Sequence, residues 1–471
     1  MILGRSLVVG VGVCVISGSV WAAERHVPSE YATIQSAIVA AEDGDEVIVA
    51  AGRYHELVDF LGKGITLRSA SGPEATTIDG TDLGGSVVTI EDVGVKPARL
   101  EGFTITGGTG KLAPGGTQGG GVYIGYGGPV IADCIIEGNQ ASAGGGVSQN
   151  SGWALIVDTT FRNNIADGYG SYGGAGLRSS MSTLTMIACE FLDNRAVGAA
   201  KAGGAQLRQG TGTVVNCRFV RNEGGTGGAL VGSGMQLKVI NSTIAENYAR
   251  SGGGAVMIDL PVSPSPRFTN CVFWGNEAGS GPGGLWVFNN PEMVVEYSLV
   301  EGGWSGVGEQ NRTEDPLFVN PAGDDYCLSP GSPCIDAGLT EAVPEDVQHD
   351  LMGNDRVIGS SVDMGAVEAV DAGEPDGACC FADGACVEVS ASECAAAGGE
   401  FQSDGLACAA APCPQPQIDA DFNQDGWVDA VDLFELLSAW GQSSTAHDLD
   451  QDGSVASGDL YMLLGLWGPQ G

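Results

Sequence analysis

The sequence predicts an all-β solenoid of stacked coils, and three observations carry that prediction. Glycine pairs recur at Gly120, Gly145, Gly174, Gly204, Gly228, Gly254 and Gly284, at intervals of 24 to 30 residues. A second marker keeps the same beat: CIIEGN, TTFRNN, CEFLDN, CRFVRN, STIAEN and CVFWGN end on Asn139, Asn164, Asn194, Asn222, Asn247 and Asn276. Between the markers run short alternating stretches such as TVVNCRF, which read as strands bounded by glycine turns. A propeller blade needs about 40–50 residues, which is too many. Glycine and β-branched residues exclude helical repeats, and the frame of a leucine-rich repeat is missing. One turn of a parallel β-helix fits, with about three strands per coil and coils about 4.8 Å apart.

The columns of the repeat then acquire meaning. Cys134, Thr159, Cys189, Cys217, Ser242 and Cys271 share one position and are expected to point inward as buried thiols and hydroxyls. Two residues on, Ile136, Phe161, Phe191, Phe219, Ile244 and Phe273 fill the same face. The Asn column suits a left-handed turn residue whose amides bond from coil to coil.

Ahead of the coils, MILGRSLVVGVGVCVISGSVWAAER has a basic n-region at Arg5, an apolar run, and small residues at Val20 and Ala22. Residues 1–22 are therefore expected to be a cleaved signal peptide, and no second apolar run of spanning length follows. The expected product is secreted, extracellular or cell-surface associated, with no membrane insertion. Acids outnumber bases 58 to 20, for a formal charge of −38, which argues against nucleic acid as a partner.

Residues 24–369 resemble the secreted right-handed parallel β-helix proteins of the pectate-lyase-like group. VPSEYATIQSAIVAAEDGDEVIVAAGRYHE looks like their opening, where an amphipathic helix (Ile34, Ala37, Ile38, Ala41) caps the first coil. DPLFVNPAGDDYCLSPGSPCIDAG and DMGAVE resemble the closing segment of many such proteins. The resemblance implies a β-helix domain over 23–370. It is weak for activity, because the fold carries lyases, hydrolases and adhesins alike.

Residues 371–416 read as a linker and a Cys-rich module. Cys379, Cys380, Cys386, Cys394, Cys408 and Cys413 imply three disulfides among fifteen possible pairings, with zinc as the rival reading. Cys327 and Cys334 are expected to form a further local bridge.

Residues 417–471 carry the sharpest motif. DFNQDGWVDAVD sets Asp421, Asn423, Asp425, Asp429 and Asp432 at positions 1, 3, 5, 9 and 12 of a calcium loop, with the Trp427 carbonyl at 7. A second loop follows with Asp448, Asp450, Asp452, Ser454 and Asp459, and Ala456 at its ninth position predicts weaker calcium binding there. Each loop leads into an apolar helix that ends in Trp-Gly. The pair resembles a type I dockerin, which implies a cohesin-like module on a scaffold or cell surface as partner, and calcium as cofactor.

Stacked coils should pair opposite charges. Asp193, Arg221 and Glu246 alternate, and Glu190 faces Arg218. Two columns break the rule on this reading: Arg178 with Arg208, and Asp133 with Asp158. Solvent-facing or calcium-bridged carboxylates are both open for the aspartates. For the arginines, nearby loops add Asp167, Tyr169, Tyr172 and Lys201, and guanidinium beside aromatic rings suits an acidic sugar. In the related lyases such an Arg or Lys can act as base, so Arg178, Arg208 and Lys201 are the catalytic candidates. The expected function is binding or cleavage of polysaccharide, as lyase or glycosidase, displayed through the dockerin-like module. The alternative is a non-catalytic surface or matrix protein using the β-helix as a glycan-binding or spacer module.

Overall fold

In the computed structural model the described residues are 22–96, 98–168, 173–198, 200–288, 292–369, 377–381, 385–389, 391–404, 406–410, 413, 420–443, 446–450 and 452–469. The signal-peptide reading, but for Ala22, lies outside them. The chain divides into two compact units, residues 1–370 and 371–471.

The first unit is a parallel β-solenoid. A ten-stranded sheet runs from Gly52–Tyr54 to Leu299–Val300, and a six-stranded sheet of two-residue strands forms another face. The remaining two faces merge into one 17-stranded sheet. They join because the strands Leu177–Ile187 and Ala205–Val215 turn the corner through Met181 and Gln209, at φ 54° and 51°. The N-terminal helix Ile34–Ala40 is held by a Thr33–Ser36 capping box and buries Ile34, Ala37 and Ile38.

Inside, like residues stack on like. The Cys/Thr/Ser column is buried throughout, and Cys134, Cys189, Cys217 and Cys271 are free thiols. Phe161, Phe191 and Phe219 stack with ring centroids 4.4 and 4.6 Å apart. The glycine pairs mark close approach between coils: a Cβ on Gly145 would lie 2.3 Å from the Ile165 carbonyl oxygen.

The Asn column does form a ladder. Nδ2 of Asn194 donates to Oδ1 of Asn222 at 3.0 Å, and Nδ2 of Asn222 donates to Oδ1 of Asn247 at 2.9 Å. The left-handed conformation, however, belongs to the residue before each Asn: Gly138, Asn163, Asp193, Arg221, Glu246 and Gly275. That residue turns the chain outward. The Asn that follows can then aim inward, where its amide satisfies backbone groups of two coils.

The segment 316–369 closes the unit by lying along the ten-stranded sheet. Tyr326 packs on Val220 and Ala245, while Leu328, Cys334 and Met364 cover Val272 and Leu299. Three corner asparagines grip its backbone: Asn216 Nδ2 donates to the His349 carbonyl at 2.7 Å, Asn241 Nδ2 to Asp363 at 3.0 Å, and Asn270 Nδ2 to Leu339 at 3.0 Å. Within it Arg356 and Glu368 form an ion pair with side chains 2% and 0% exposed. Cys327 and Cys334 are free thiols, so the expected bridge is absent. Cys334 instead joins the apolar contact with the sheet.

In the second unit the strands Gly377–Cys380, Cys386–Val389 and Glu400–Asp404 form an antiparallel sheet. Three disulfides staple this part: Cys379–Cys394, Cys380–Cys413 and Cys386–Cys408. The helices Ala430–Ser438 and Ser457–Gly465 share a small core of Ala420, Val428, Leu436, Ala439, Val455 and Leu463.

Candidate functional site

The first face of the solenoid presents two outward columns. One runs Thr89, Tyr123, Ser148, Arg178, Gln206, Val231, and its register continues to Met257 and Trp286. The other runs Asn150, Ser180, Arg208, Ser233, Asp259. Alternation along each strand points these side chains away from the core that holds Leu177, Leu207 and Ile258, yet Ser148, Gln206, Val231, Ser180, Ser233 and Asp259 are themselves buried, so much of this face is covered.

Arg178 and Arg208 therefore do not stack. Arg178 pairs with Gln206, and Arg208 pairs with Ser180, an offset of two residues. The cause is the stretch Gly173-Gly174-Ala175-Gly176, which offers two candidate glycines. Leu177 N donates to the Gly204 carbonyl, and Gly174 bridges to Ala202, so Gly176 rather than Gly174 is the partner of Gly204. The offset places the two guanidinium groups in different columns of the same face.

Arg178 is only 6% exposed. Its Nη1 donates to Asn150 Oδ1 at 2.6 Å, Ser148 Oγ at 3.3 Å and Gln118 Oε1 at 3.4 Å. Gln118 Oε1 also accepts from Asn150 Nδ2 at 2.7 Å, so one amide oxygen organises the group. Arg208 is half-buried. Lys201 Nζ pairs with Asp259 Oδ2 at 3.0 Å, and Asp259 lies two coils beyond Arg208 in its column. Asp259 is 7% exposed, and its Oδ1 is buried without a hydrogen-bond partner among the described residues. Asp167 is exposed and accepts from Gln140 Nε2 at 2.7 Å, while Tyr169 and Tyr172 lie outside the described residues.

Sequence reasoning missed Gln118, Asn150 and Asp259. Asp259 was within reach, since the opposite-charge rule applied two coils along, rather than one, pairs it with the basic residues. Gln118 sits at the foot of a hairpin between coils and left no periodic signal. The expected pairs hold elsewhere: Arg218 Nε donates to Glu190 at 2.9 Å and Arg221 Nε to Asp193 at 3.0 Å. Asp133 and Asp158 are both exposed. Partial desolvation, and then the acidic neighbours Glu101 and Asp133 respectively, push both carboxyls above their usual range.

In the second unit the two acidic loops repeat one another at a spacing of 27 residues. Asp432 and Asp459 are fully buried, each accepting backbone N–H groups of its own loop: Phe422 and Asp429 for the first, Asp450 and Ala456 for the second. Carboxylate oxygens of Asp448, Asp450 and Asp459 lie within 4.8 Å of one another. Asp448 Oδ1 is buried with no hydrogen-bond partner among the described residues. An orphaned oxygen among converging carboxylates fits a hard divalent cation. Val428 pairs with Gly468, while Val455 exchanges hydrogen bonds with Gly441 and Gln442, so each loop is tied to the end of the other helix.

None of the curated proteins matches the chain. The solved structure of pectate lyase Pel9A is similar at 12% identity over 71% of this chain and 90% of that chain, with a TM-score of 0.41. At that level the likeness says nothing of activity. Residues 58–244 match the family described as "Right handed beta helix region". Joined to the stacked parallel registers, that match makes the first unit a right-handed parallel β-helix.

Proposed function

We propose that the protein is exported and binds or cleaves an acidic polysaccharide along the outward face that carries Arg178 and Arg208 and is reached by Lys201. The observation behind this reading is that two of only 20 basic residues lie on one face of a chain with net charge −38, with Lys201 reaching Asp259 of the same face, among serine and amide side chains. Guanidinium groups take a sugar carboxylate in bidentate fashion, and the hydroxyls and amides beside them suit ring hydroxyls. A non-catalytic reading draws support from Arg178 itself. Its guanidinium is buried and already held by Asn150, Ser148 and Gln118, the posture of a binding group more than of a base.

The C-terminal loops are proposed to hold calcium. Asp421, Asn423, Asp425, Asp429 and Asp432 with the Trp427 carbonyl would serve the first, and Asp448, Asp450, Asp452, Ser454 and Asp459 the second. Bound calcium would neutralise the converging carboxylates and fix the two helices. A protein partner of the cohesin type is supported by two matching exposed apolar rows, Phe434 and Leu437 on one helix with Trp440 just past its end, and Tyr461 and Leu464 on the other with Trp467 just past its end.

The test is retention of the mature protein on immobilised polygalacturonate, together with ultraviolet detection of unsaturated product. Arg178→Ala with Arg208→Ala should abolish retention while the far-ultraviolet spectrum of the β-helix holds, at a lower melting temperature because buried Ser148 and Gln118 lose their partner. Retention unchanged by the pair would remove the acidic-glycan reading. Unsaturated product lost in Lys201→Ala would make the face catalytic, and retention without product would make it a binding face.

A further inference from the structure

We propose a second, chemically different subsite at the N-terminal end of the same outward face: a pocket for one neutral pyranose ring. The ligand is then a polysaccharide containing both neutral and acidic sugars. The polymer class rests on the glycan reading above, whereas the pocket stands on its own geometry.

The pocket is a cavity of about 590 Å³ between the strand Val58–Asp59, the turn at 84–86 and the hairpin at 111–118. That size lies within the range of small-molecule sites. Asp59 and Thr89 are partners across adjacent strands, and both line the cavity. Asp59 Oδ1 accepts from Leu61 N at 2.8 Å, and Oδ2 has no partner among the described residues. Leu57 and Leu112 supply apolar wall, and Leu112 is 83% exposed at the rim. An apolar wall beside a carboxylate and a hydroxyl matches a pyranose, which has a C–H face and a hydroxyl edge.

Charge decides which pyranose. Lys111 lines the cavity but is ion-paired with Glu91, so Asp59, Glu91 and Lys111 leave one net negative charge. A uronate would be repelled there, while a neutral ring can donate hydroxyls to Asp59. The Arg178 region has the opposite balance, with Arg178, Arg208 and Lys201 against Asp259. The two lie on one column, since Thr89, Tyr123, Ser148 and Arg178 are successive register partners, about 14 Å from end to end at the coil spacing. Gln118 couples them physically, because it ends the hairpin that walls the pocket and accepts from Arg178 and Asn150.

The experiment uses the full mature chain in ligand-observed NMR with galactose, xylose and rhamnose. It adds calorimetry on polygalacturonate and on a rhamnogalacturonan of alternating neutral and acidic residues. Thr89→Trp fills the cavity from an outward position, and Asp59→Asn removes its carboxylate at constant size. At least one neutral sugar should show saturation transfer that Thr89→Trp abolishes and Asp59→Asn weakens. The rhamnogalacturonan should bind about tenfold more tightly than the homopolymer, a margin lost in Thr89→Trp. Silence of all three sugars with the parent protein, or signals untouched by both variants, overturns the pocket. Sugar signals lost in Thr89→Trp while the arginine pair leaves both polymer affinities unchanged would retain the pocket and overturn the acidic-glycan face.

Discussion

One corner of the β-helix is built two ways along its length. The residue before the inward Cys/Thr/Ser position is Asp133, Asp158 and Ala188 in three successive coils, then Asn216, Asn241 and Asn270 in the next three. All six share a left-handed backbone, with φ between 45° and 56°. The backbone demand is the same, so it cannot explain the change. What differs is cover: the aspartates face solvent, whereas each asparagine donates its amide to the closing segment. A column of a repeat thus records where another part of the chain lies over it.

The largest expected effect breaks the covered region at its buried ion pair. Arg356→Ala leaves Glu368 buried without its partner and should cost about 3–5 kcal/mol in urea unfolding. A loss under about 1 kcal/mol would show that the ion pair does not hold the closing segment and that the asparagine grips and apolar contacts do.

Next comes pH. Burial, set against the Arg356 charge, pushes Glu368 up to about 7 from an ordinary 4.5. A carboxyl raised in the folded state contributes stability that is full below its unfolded pKa and lost as pH rises through the folded one. The melting temperature should therefore fall between about pH 4.5 and pH 7 through this group, and Glu368→Gln should flatten that window. An identical slope in the variant would assign the pH response elsewhere.

The comparison itself is sharpened by exchanging residue types. Asn241→Asp keeps a residue that tolerates the left-handed corner but removes the donor to the Asp363 carbonyl, and should cost about 1–3 kcal/mol. The reverse exchange, Asp158→Asn, relieves a like-charge contact at an exposed corner. It should shift stability by less than about 0.5 kcal/mol, toward the stable side. Equal losses from the two exchanges would refute coverage as the cause of the split column.

Much of this architecture was legible because a parallel β-helix repeats its contacts at nearly constant sequence separation. The Cys/Thr/Ser and Phe columns and the charge pairs follow from that regularity, while the capping helix was legible from its own amphipathic pattern. Features that depend on distant cover escaped it. Nothing within the repeat says that Asn216 meets His349, 133 residues on. The site was half legible: its basic residues stood out against an acidic chain, yet one extra glycine at Gly176 moved Arg178 out of register with Arg208. Gln118 was silent because it lies on a hairpin outside the beat, whereas Asp259 keeps the beat and meets Lys201 only across non-adjacent coils.

The closing segment also bears on mechanical strength. A bare solenoid pulled from its last coil can peel one coil at a time, each step breaking a short row of hydrogen bonds. Here tension arriving through residue 370 meets a strap gripped by three successive coils at Asn216, Asn241 and Asn270 and locked within by Arg356. The load is shared in shear before any coil can peel. A module that held the chain to a fixed support would therefore be pulling on a splinted end.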